Sequence, residues 1–412
     1  MEHRVVVTGM GAVTPVGNSA TETWDAFIAG KNGIGAITRF DTTDFKVKVA
    51  GEVKDLDCAE RLECNTRHMD LFVQYALVAA DEAIAQAGLD AEGSCDRDRV
   101  GVYVGSGIGG MKSYTDNVDV MRARGARRVS PFMIPMMIAN MAGEIAIRQK
   151  LYGPTLPVVT ACATSAHTIG EAFRAIKHGY ADAIVAGGSE GALVPEAVAG
   201  FTNAKALTKN PDPETACRPF DAGRDGFVMG EGAGIVVLEE LEHARARGAK
   251  ILAEVVGYGN TCDGYHITSP DPESRGITRA IVEAMEGTGL DAAEGLYINA
   301  HGTSTKLNDA SETRGFKLAL GEEAARAAHI SSTKSMTGHM LGATGAVEAI
   351  ACVGALTEGI IPPTIHYAEA DPECDLDYTP NQAVSAQVRW ALSTNLGFGG
   401  HNAALAFKAY ED

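Results

Sequence analysis

Val158-Val159-Thr160-Ala161-Cys162-Ala163-Thr164-Ser165 is the stretch on which the reading of this chain turns. Behind it, apolar residues recur at Ala166, Ile169, Phe173 and Ile176, the spacing of one helix face, and Gly179 supplies a stop. Ahead of it, Leu156 to Val159 reads as a buried strand. Cys162 then stands where a strand turns into a helix, among unpaired N–H groups and the positive end of the helix dipole. Such a place favours thiolate over thiol. A small buried apolar residue fits the same position, so the stretch alone leaves nucleophile and core filler both open.

Around it, 412 residues with 45% hydrophobic content, 6% aromatics and 47 glycines describe an α/β protein with many tight turns. A net charge of −18 argues against general binding to nucleic acid or anionic membranes. The eight cysteines (58, 64, 95, 162, 217, 262, 352 and 374) show neither CxxC pairs nor a disulfide framework. Strand-like residues begin at Arg4, leaving no room for a signal peptide, and no apolar run approaches membrane-spanning length. A reduced, cytoplasmic chain without membrane insertion is expected.

Two series of strands follow one another in the same order. Arg4 to Thr8 ends in Gly9-Met10-Gly11 as a strand feeding a glycine turn, and Ala253 to Val256 ends in Gly257-Tyr258-Gly259. Residues 46–53 look like a strand and Arg67 to Ala87 like a long amphipathic helix. Val100 to Val104 ends in the cluster Gly105 to Gly110, and Tyr297 to Ala300 ends in His301-Gly302. That glycine cluster lacks the GxxxxGK[ST] spacing of a phosphate loop. Met133, Met136, Met137 and Met141 suit either adaptable core packing or the lining of an apolar substrate. The Cys162 corner is echoed by Ile330 to Thr333, Gly338-His339 and the small-residue helix 342–356. Asp182 to Ala186 ends in Gly187-Gly188, and Trp390 to Thr394 ends in Gly397-Phe398-Gly399-Gly400. The order implies a duplicated α/β architecture, residues 1–248 carrying the cysteine and 249–412 carrying two histidines and a lysine. The strand ends of both halves would converge on one site.

His301, in Asn299-Ala300-His301-Gly302-Thr303-Ser304-Thr305, and His339, in Lys334-Ser335-Met336-Thr337-Gly338-His339, are the candidates to work with Cys162. Metal binding is the rival reading, weakened by the absence of HxxxH, HExxH or clustered carboxylates. Taken in order with Arg218-Pro219-Phe220-Asp221, Arg224-Asp225-Gly226-Phe227 and Ile361-Pro362-Pro363-Thr364, these motifs resemble the β-ketoacyl-acyl-carrier-protein synthases, most closely the elongating type II. The similarity runs from Val5 to Phe407.

The resemblance implies a thiolase-like fold, a five-layer α-β-α-β-α sandwich in a homodimer, with no cofactor and no metal. It implies a decarboxylating Claisen condensation in which Cys162 takes an acyl chain from acyl-carrier protein as a thioester. His301 and His339 would donate to the malonyl thioester oxygen, and the backbone N–H groups of Cys162 and Phe398 would hold the oxyanion. Lys334, with Glu348 as charge partner, would support the histidines. Thr268, Thr303 and Thr305 would bind the pantetheine arm. Phe398 would gate the site beside Gly399, whose small size lets the backbone approach. Ile108 and Phe132 would line the acyl pocket, and Arg67, Arg127, Arg128 and Lys205 would dock the acidic carrier protein. The sequence departs from that pattern at Asn395 and Leu396, where Ser and Phe are usual. It departs again at Lys306-Leu307-Asn308, where Pro-x-Gly is common, and at Cys64 and His68, where lysines often stand. A polyketide-type ketosynthase is the alternative enzyme. A non-catalytic chain-length subunit fits poorly, because Cys162 is present.

Overall fold

The first strand sets the middle of the molecule. The computed structural model describes residues 2–138 and 140–411, and in it Val5–Val13 forms β1, buried almost throughout. The expected glycine turn after Thr8 is corrected here, since β1 runs straight on through Gly9 and Gly11. These glycines are small because a helix lies on them. A Cβ on Gly9 would meet the Ala83 carbonyl oxygen at 2.1 Å, and one on Gly11 the Ala79 oxygen at 2.0 Å. Both carbonyls belong to α1, Leu71–Ala87, which begins four residues later than its periodicity predicts because the Asp70 side chain caps the Leu71 N–H.

The remaining long strands are β2 (Val100–Gly105), β3 (Ala183–Glu190), β4 (Gly232–Glu240), β5 (Ala253–Cys262), β6 (Leu296–Asn299), β7 (His329–Ser331), β8 (Trp390–Gly397) and β9 (His401–Lys408). With β1 they form a nine-stranded sheet ordered β2-β3-β4-β1-β5-β9-β8-β6-β7. Apart from the additional strand β7 at one end, the order is the same read inward from either end. In each half the first strand pairs antiparallel with the last, the last antiparallel with the one before it, and that one parallel with the second. β1 and β5 join the halves antiparallel, with Val5 opposite Val255 and Val7 opposite Ala253.

The third strand is where the halves differ. In the second half β7 pairs parallel with β6. Its counterpart in the first half keeps only one parallel bridge, Val102 with Thr155, and the strand expected at Leu156 to Val159 does not form. Pro157 lacks a donor, and Leu156 and Val159 are 44% and 60% exposed. The strand expected over residues 46–53 shrinks likewise to Val49–Ala50, paired with Gly35–Ala36.

Helices complete the layers. α1 covers the outer face of β1, β3 and β4, and α3 (Arg275–Met285) covers β5 and β9 and packs on α4 (Lys306–Leu320). Between the half-sheets, in contact with each other and with strands of both, lie α2 (Thr164–Lys177) and α5 (Thr344–Glu358). The arrangement is α-β-α-β-α. The stretch Leu341–Glu358 is, against expectation, long and apolar enough to cross a membrane, but 89% of it is buried inside the fold. Both central helices start alike. Ala161, at φ +50°, enters a single 3₁₀ turn, Ala161–Ala163, ahead of Thr164, and Leu341, at φ +46°, enters Leu341–Ala343 ahead of Thr344. Gly342 therefore occupies in the second half the place of Cys162 in the first.

Close contact of strand and helix at β5 yields a test. A Cβ on Gly259 would sit 1.8 Å from the Ala280 oxygen of α3, a backbone atom that cannot swing aside. Gly259→Val is expected to cost roughly 3 kcal/mol or more, read as a lowered urea midpoint; an unchanged midpoint would show that this packing is not tight.

Candidate active site

Four chain corners deliver their residues to one cavity of roughly 360 Å³. Cys162 comes from the turn before α2, His301 with Thr303 and Thr305 from the segment after β6, His339 from the corner before α5, and Phe398 from the loop between β8 and β9. Glycine permits the last approach, because a Cβ on Gly397 would stand 2.6 Å from the Thr160 oxygen. Gly399, at φ +93°, holds a conformation that other residues avoid.

The two imidazoles lie edge to face with ring centres 5.1 Å apart. Both are buried. Burial first, and the Lys334 charge second, hold both well below the ordinary histidine range, so each ring is neutral at pH 7. The His301 and Gly302 N–H groups donate to the two oxygens of Glu312, at 2.6 and 2.8 Å, which fixes the backbone of the corner. Thr394 Oγ1 donates to the same carboxylate at 2.6 Å. His339 Nδ1 lies 3.1 Å from Thr344 Oγ1, leaving its buried Nε2 without a protein partner among the described residues.

Lys334 is 1% exposed and pairs with Glu348 Oε1. It is absent from the cavity wall, but its charge acts on both histidines. Burial pushes the Glu348 carboxyl up to about 7, against the pull of Lys334 and of the Asn395 amide.

The expectation of a favoured thiolate at Cys162 is corrected. Burial pushes the thiol up to about 12, and the Lys334 charge and the backbone N–H groups of Phe398 and Cys162 offset only part of that. The helix-start geometry is present, but desolvation is the larger effect. Cys162 rests as a thiol in a cavity that also holds two neutral imidazoles.

Thr268 and Lys205 also line this cavity, and Thr303 and Thr305 share a hydroxyl contact of 2.9 Å at its wall. Gly399 lies just outside, its N–H donating to the Ile267 oxygen at 2.7 Å. Ile108 packs half-buried against the apolar cluster that contains Cys162. Phe132 does not join it, and the expectation that it lines the acyl pocket is not met within one chain. The segment leading into the short helix Met133–Met137 runs over the outer face, where Phe132 stacks on His68 with ring centres 4.8 Å apart. The four expected docking cations also divide. Lys205 stands at the cavity, whereas Arg67, Arg127 and Arg128 line a second, open groove with Phe132.

Sequence reasoning missed Glu312 and Glu190. Glu190 accepts from Ser106 Oγ and from the N–H groups of Gly107, Ile108 and Gly342, tying the Gly105–Gly110 loop to the corner before α5. Glu190 could have been found as a carboxylate ending the small and apolar run Ala183–Glu190, whereas Glu312 sits among polar residues of α4 and carried no such signal.

The chain is similar to known proteins along its length. Residues 2–244 match the family model described as "Beta-ketoacyl synthase, N-terminal domain" and residues 252–368 match "Beta-ketoacyl synthase, C-terminal domain". It is 52% identical to the 3-oxoacyl-[acyl-carrier-protein] synthase 2 of Synechocystis sp., covering 100% of this chain and 99% of that one. Among solved structures, the ishigamide ketosynthase/chain length factor superposes with a TM-score of 0.92 at 36% identity, covering 100% of both chains. A complex of a type II PKS acyl-carrier protein with its ketosynthase bound to the hexaketide gives 0.89 at 32% identity, again covering 100% of both.

A buried thiol predicts a particular reactivity. The rate at which iodoacetamide alkylates Cys162 is expected to rise about tenfold per pH unit through pH 10, without levelling near 8.5 as an ordinary cysteine does. Peptide mass spectrometry of the alkylated protein would measure this, and a plateau below pH 8 would instead favour a resting thiolate.

Proposed function

The chain belongs to the β-ketoacyl synthase family, and from that premise we propose how its residues carry out the reaction. The protein is a 3-oxoacyl-acyl-carrier-protein synthase of the elongating type II, and it extends an acyl chain by condensation with malonyl-acyl-carrier protein. One observation carries the assignment of roles: Cys162, His301, His339 and Phe398 line one cavity, and the charge of Lys334, buried in its pair with Glu348, acts on the cysteine and both histidines.

In the first half-reaction a neutral imidazole takes the thiol proton and Cys162 attacks the acyl thioester. The bond from the acyl carbon to the carrier's pantetheine sulfur breaks, and that sulfur leaves with the proton. The N–H groups of Cys162 and Phe398 hold the tetrahedral oxyanion, and removing a donor of this kind typically costs on the order of 10²–10³ in rate. In the second half-reaction the malonyl thioester oxygen accepts hydrogen bonds from His301 and His339. Carbon dioxide departs, its bonding electrons pass into the enolate, and the new carbanion attacks the acyl-Cys162 carbonyl. Carbon–carbon bond formation releases the Cys162 sulfur, which regains a proton. Neutral histidines suit this work, since each presents an N–H without adding charge. Thr268, Thr303 and Thr305 hold the pantetheine arm, and Phe398, half-buried against Phe201 with ring centres 6.1 Å apart, closes over the cysteine.

The partner is an acyl-carrier protein, supported by the relative seen in complex with one. Lys205 at the cavity and the Arg67, Arg127 and Arg128 group supply local positive charge on a chain of net charge −18. A second copy of the chain completes the assembly. Leu156 and Val159 are exposed, as are Phe132, Ile134, Ile138 and Ile147, and apolar surface of that extent is normally covered. Eight unpaired thiols favour a reducing compartment, the cytoplasm. A second reading, a polyketide-type ketosynthase, draws on the similarity to the two polyketide-class structures.

Intact-protein mass spectrometry with acyl-carrier proteins bearing C4 to C18 chains tests this. A single two-carbon extension per cycle, absent in Cys162→Ala, is expected; repeated unreduced extension would favour the polyketide reading, and failure to acylate Cys162 from any carrier would overturn both. Sedimentation should give twice the chain mass, with Val159→Lys shifting the protein toward monomer.

A further inference from the structure

We propose that Asn395 is a positioning residue that fixes the tautomer of His301 and couples that ring to the Lys334–Glu348 pair. The inference deepens the ketosynthase reading and rests on it. Asn395 lies on β8, fully buried. Its Nδ2 donates to Glu348 Oε2 at 2.6 Å and lies 3.4 Å from His301 Nδ1. Its Oδ1 has no partner among the described residues.

The orientation of the amide follows from its neighbours. Glu348 gives Oε1 to Lys334 and Oε2 to Asn395, so an ionised carboxylate requires the nitrogen, not the oxygen, of the amide to face it. The two Nδ2 hydrogens then serve two acceptors, Glu348 Oε2 and His301 Nδ1. An imidazole nitrogen that accepts carries no proton, so the His301 proton sits on Nε2. No group among the described residues bonds that Nε2, and His301 lines the reaction cavity. The proton is thereby displayed where a thioester oxygen needs a donor.

Leaving a buried carbonyl oxygen unpaired costs stability. Asn395 is thus held for its donors. His339 differs, because a hydroxyl, Thr344 Oγ1, faces its Nδ1 and can turn to donate or accept. Of the two histidines, His301 is the one whose tautomer is fixed from outside the ring. The chain Lys334–Glu348–Asn395–His301 makes the ion pair an orienting device as well as a source of charge.

Asn395→Leu keeps the bulk of the side chain and removes both donors, and Asn395→Asp replaces a donor by an acceptor. The probe is decarboxylation of malonyl-acyl-carrier protein, followed by release of labelled carbon dioxide, alongside acylation of Cys162 by mass spectrometry. Asn395→Leu is expected to lower kcat for decarboxylation about 10–100-fold, as loss of a group that orients a histidine does, with KM and Cys162 acylation near the original values. Asn395→Asp is expected to draw the proton to Nδ1, so that decarboxylation survives only toward acid, where the ring holds both protons. A rate–pH profile that turns acid-favoured in this variant supports the proposal. Wild-type kcat and profile in both variants, or parallel loss of acylation, decarboxylation and thermal stability with an unmoved profile, would overturn it. Failure of the unsubstituted enzyme to acylate Cys162 would strike the underlying ketosynthase reading instead.

Discussion

A lysine ammonium and a glutamate carboxylate, 1% and 0% exposed, meet between the two half-sheets, and the electrostatics of the site depend on that pair. Each ion alone would carry a desolvation penalty of several kcal/mol. Together they persist, and the lysine's field reaches every titratable group nearby. It adds to the burial that keeps two imidazoles unprotonated, and it pulls the cysteine and the glutamate toward ionisation. Burial and this one charge together govern the protonation of four side chains, burial being the larger influence at each. Burial opposes it at the thiol and outweighs it there, which is why a base in the cavity has work to do.

The scaffold brings this about through backbone proximity. Strand ends and helix starts from both halves meet at corners where glycine stands against a carbonyl or an amide. Residues 158 to 165, 299 to 305, 334 to 344 and 395 to 400 are distant in sequence, but the pseudo-symmetric strand order makes them neighbours. The central helices α2 and α5 are each buried by two sheets. Small residues are the ones that fit there, and α5 accordingly looks membrane-like by composition alone.

Much of this was legible in the chain. The order of strands, the cysteine corner and the histidine corners follow from apolar runs ending in glycine, and their combination carried the family resemblance. What eluded the sequence has physical causes. A run such as Leu156 to Val159 has the composition of a strand, but Pro157 brings no donor and the run stays exposed in the fold. Gly9-Met10-Gly11 suggested a turn because the helix lying across it, some 70 residues on, is invisible locally. A helix start suggested a thiolate at Cys162, because dipole position can be read from sequence and depth of burial cannot. Phe132 was assigned to the acyl pocket by analogy, and the single chain places it on an outer face. Asn395 stood out as a departure from pattern, and only the fold gave it partners.

The mirrored corner at Gly342 bears on stoichiometry. A side chain there would need to begin 2.3 Å from the Gly107 nitrogen and 3.0 Å from the Glu190 carboxylate. The second half starts its central helix with the same backbone bend, but closure of the Gly105–Gly110 loop over it leaves no space for a sulfur atom. The pseudo-symmetric scaffold has two like-built corners and room for a side chain at one of them, so each polypeptide presents one thiol there and not two.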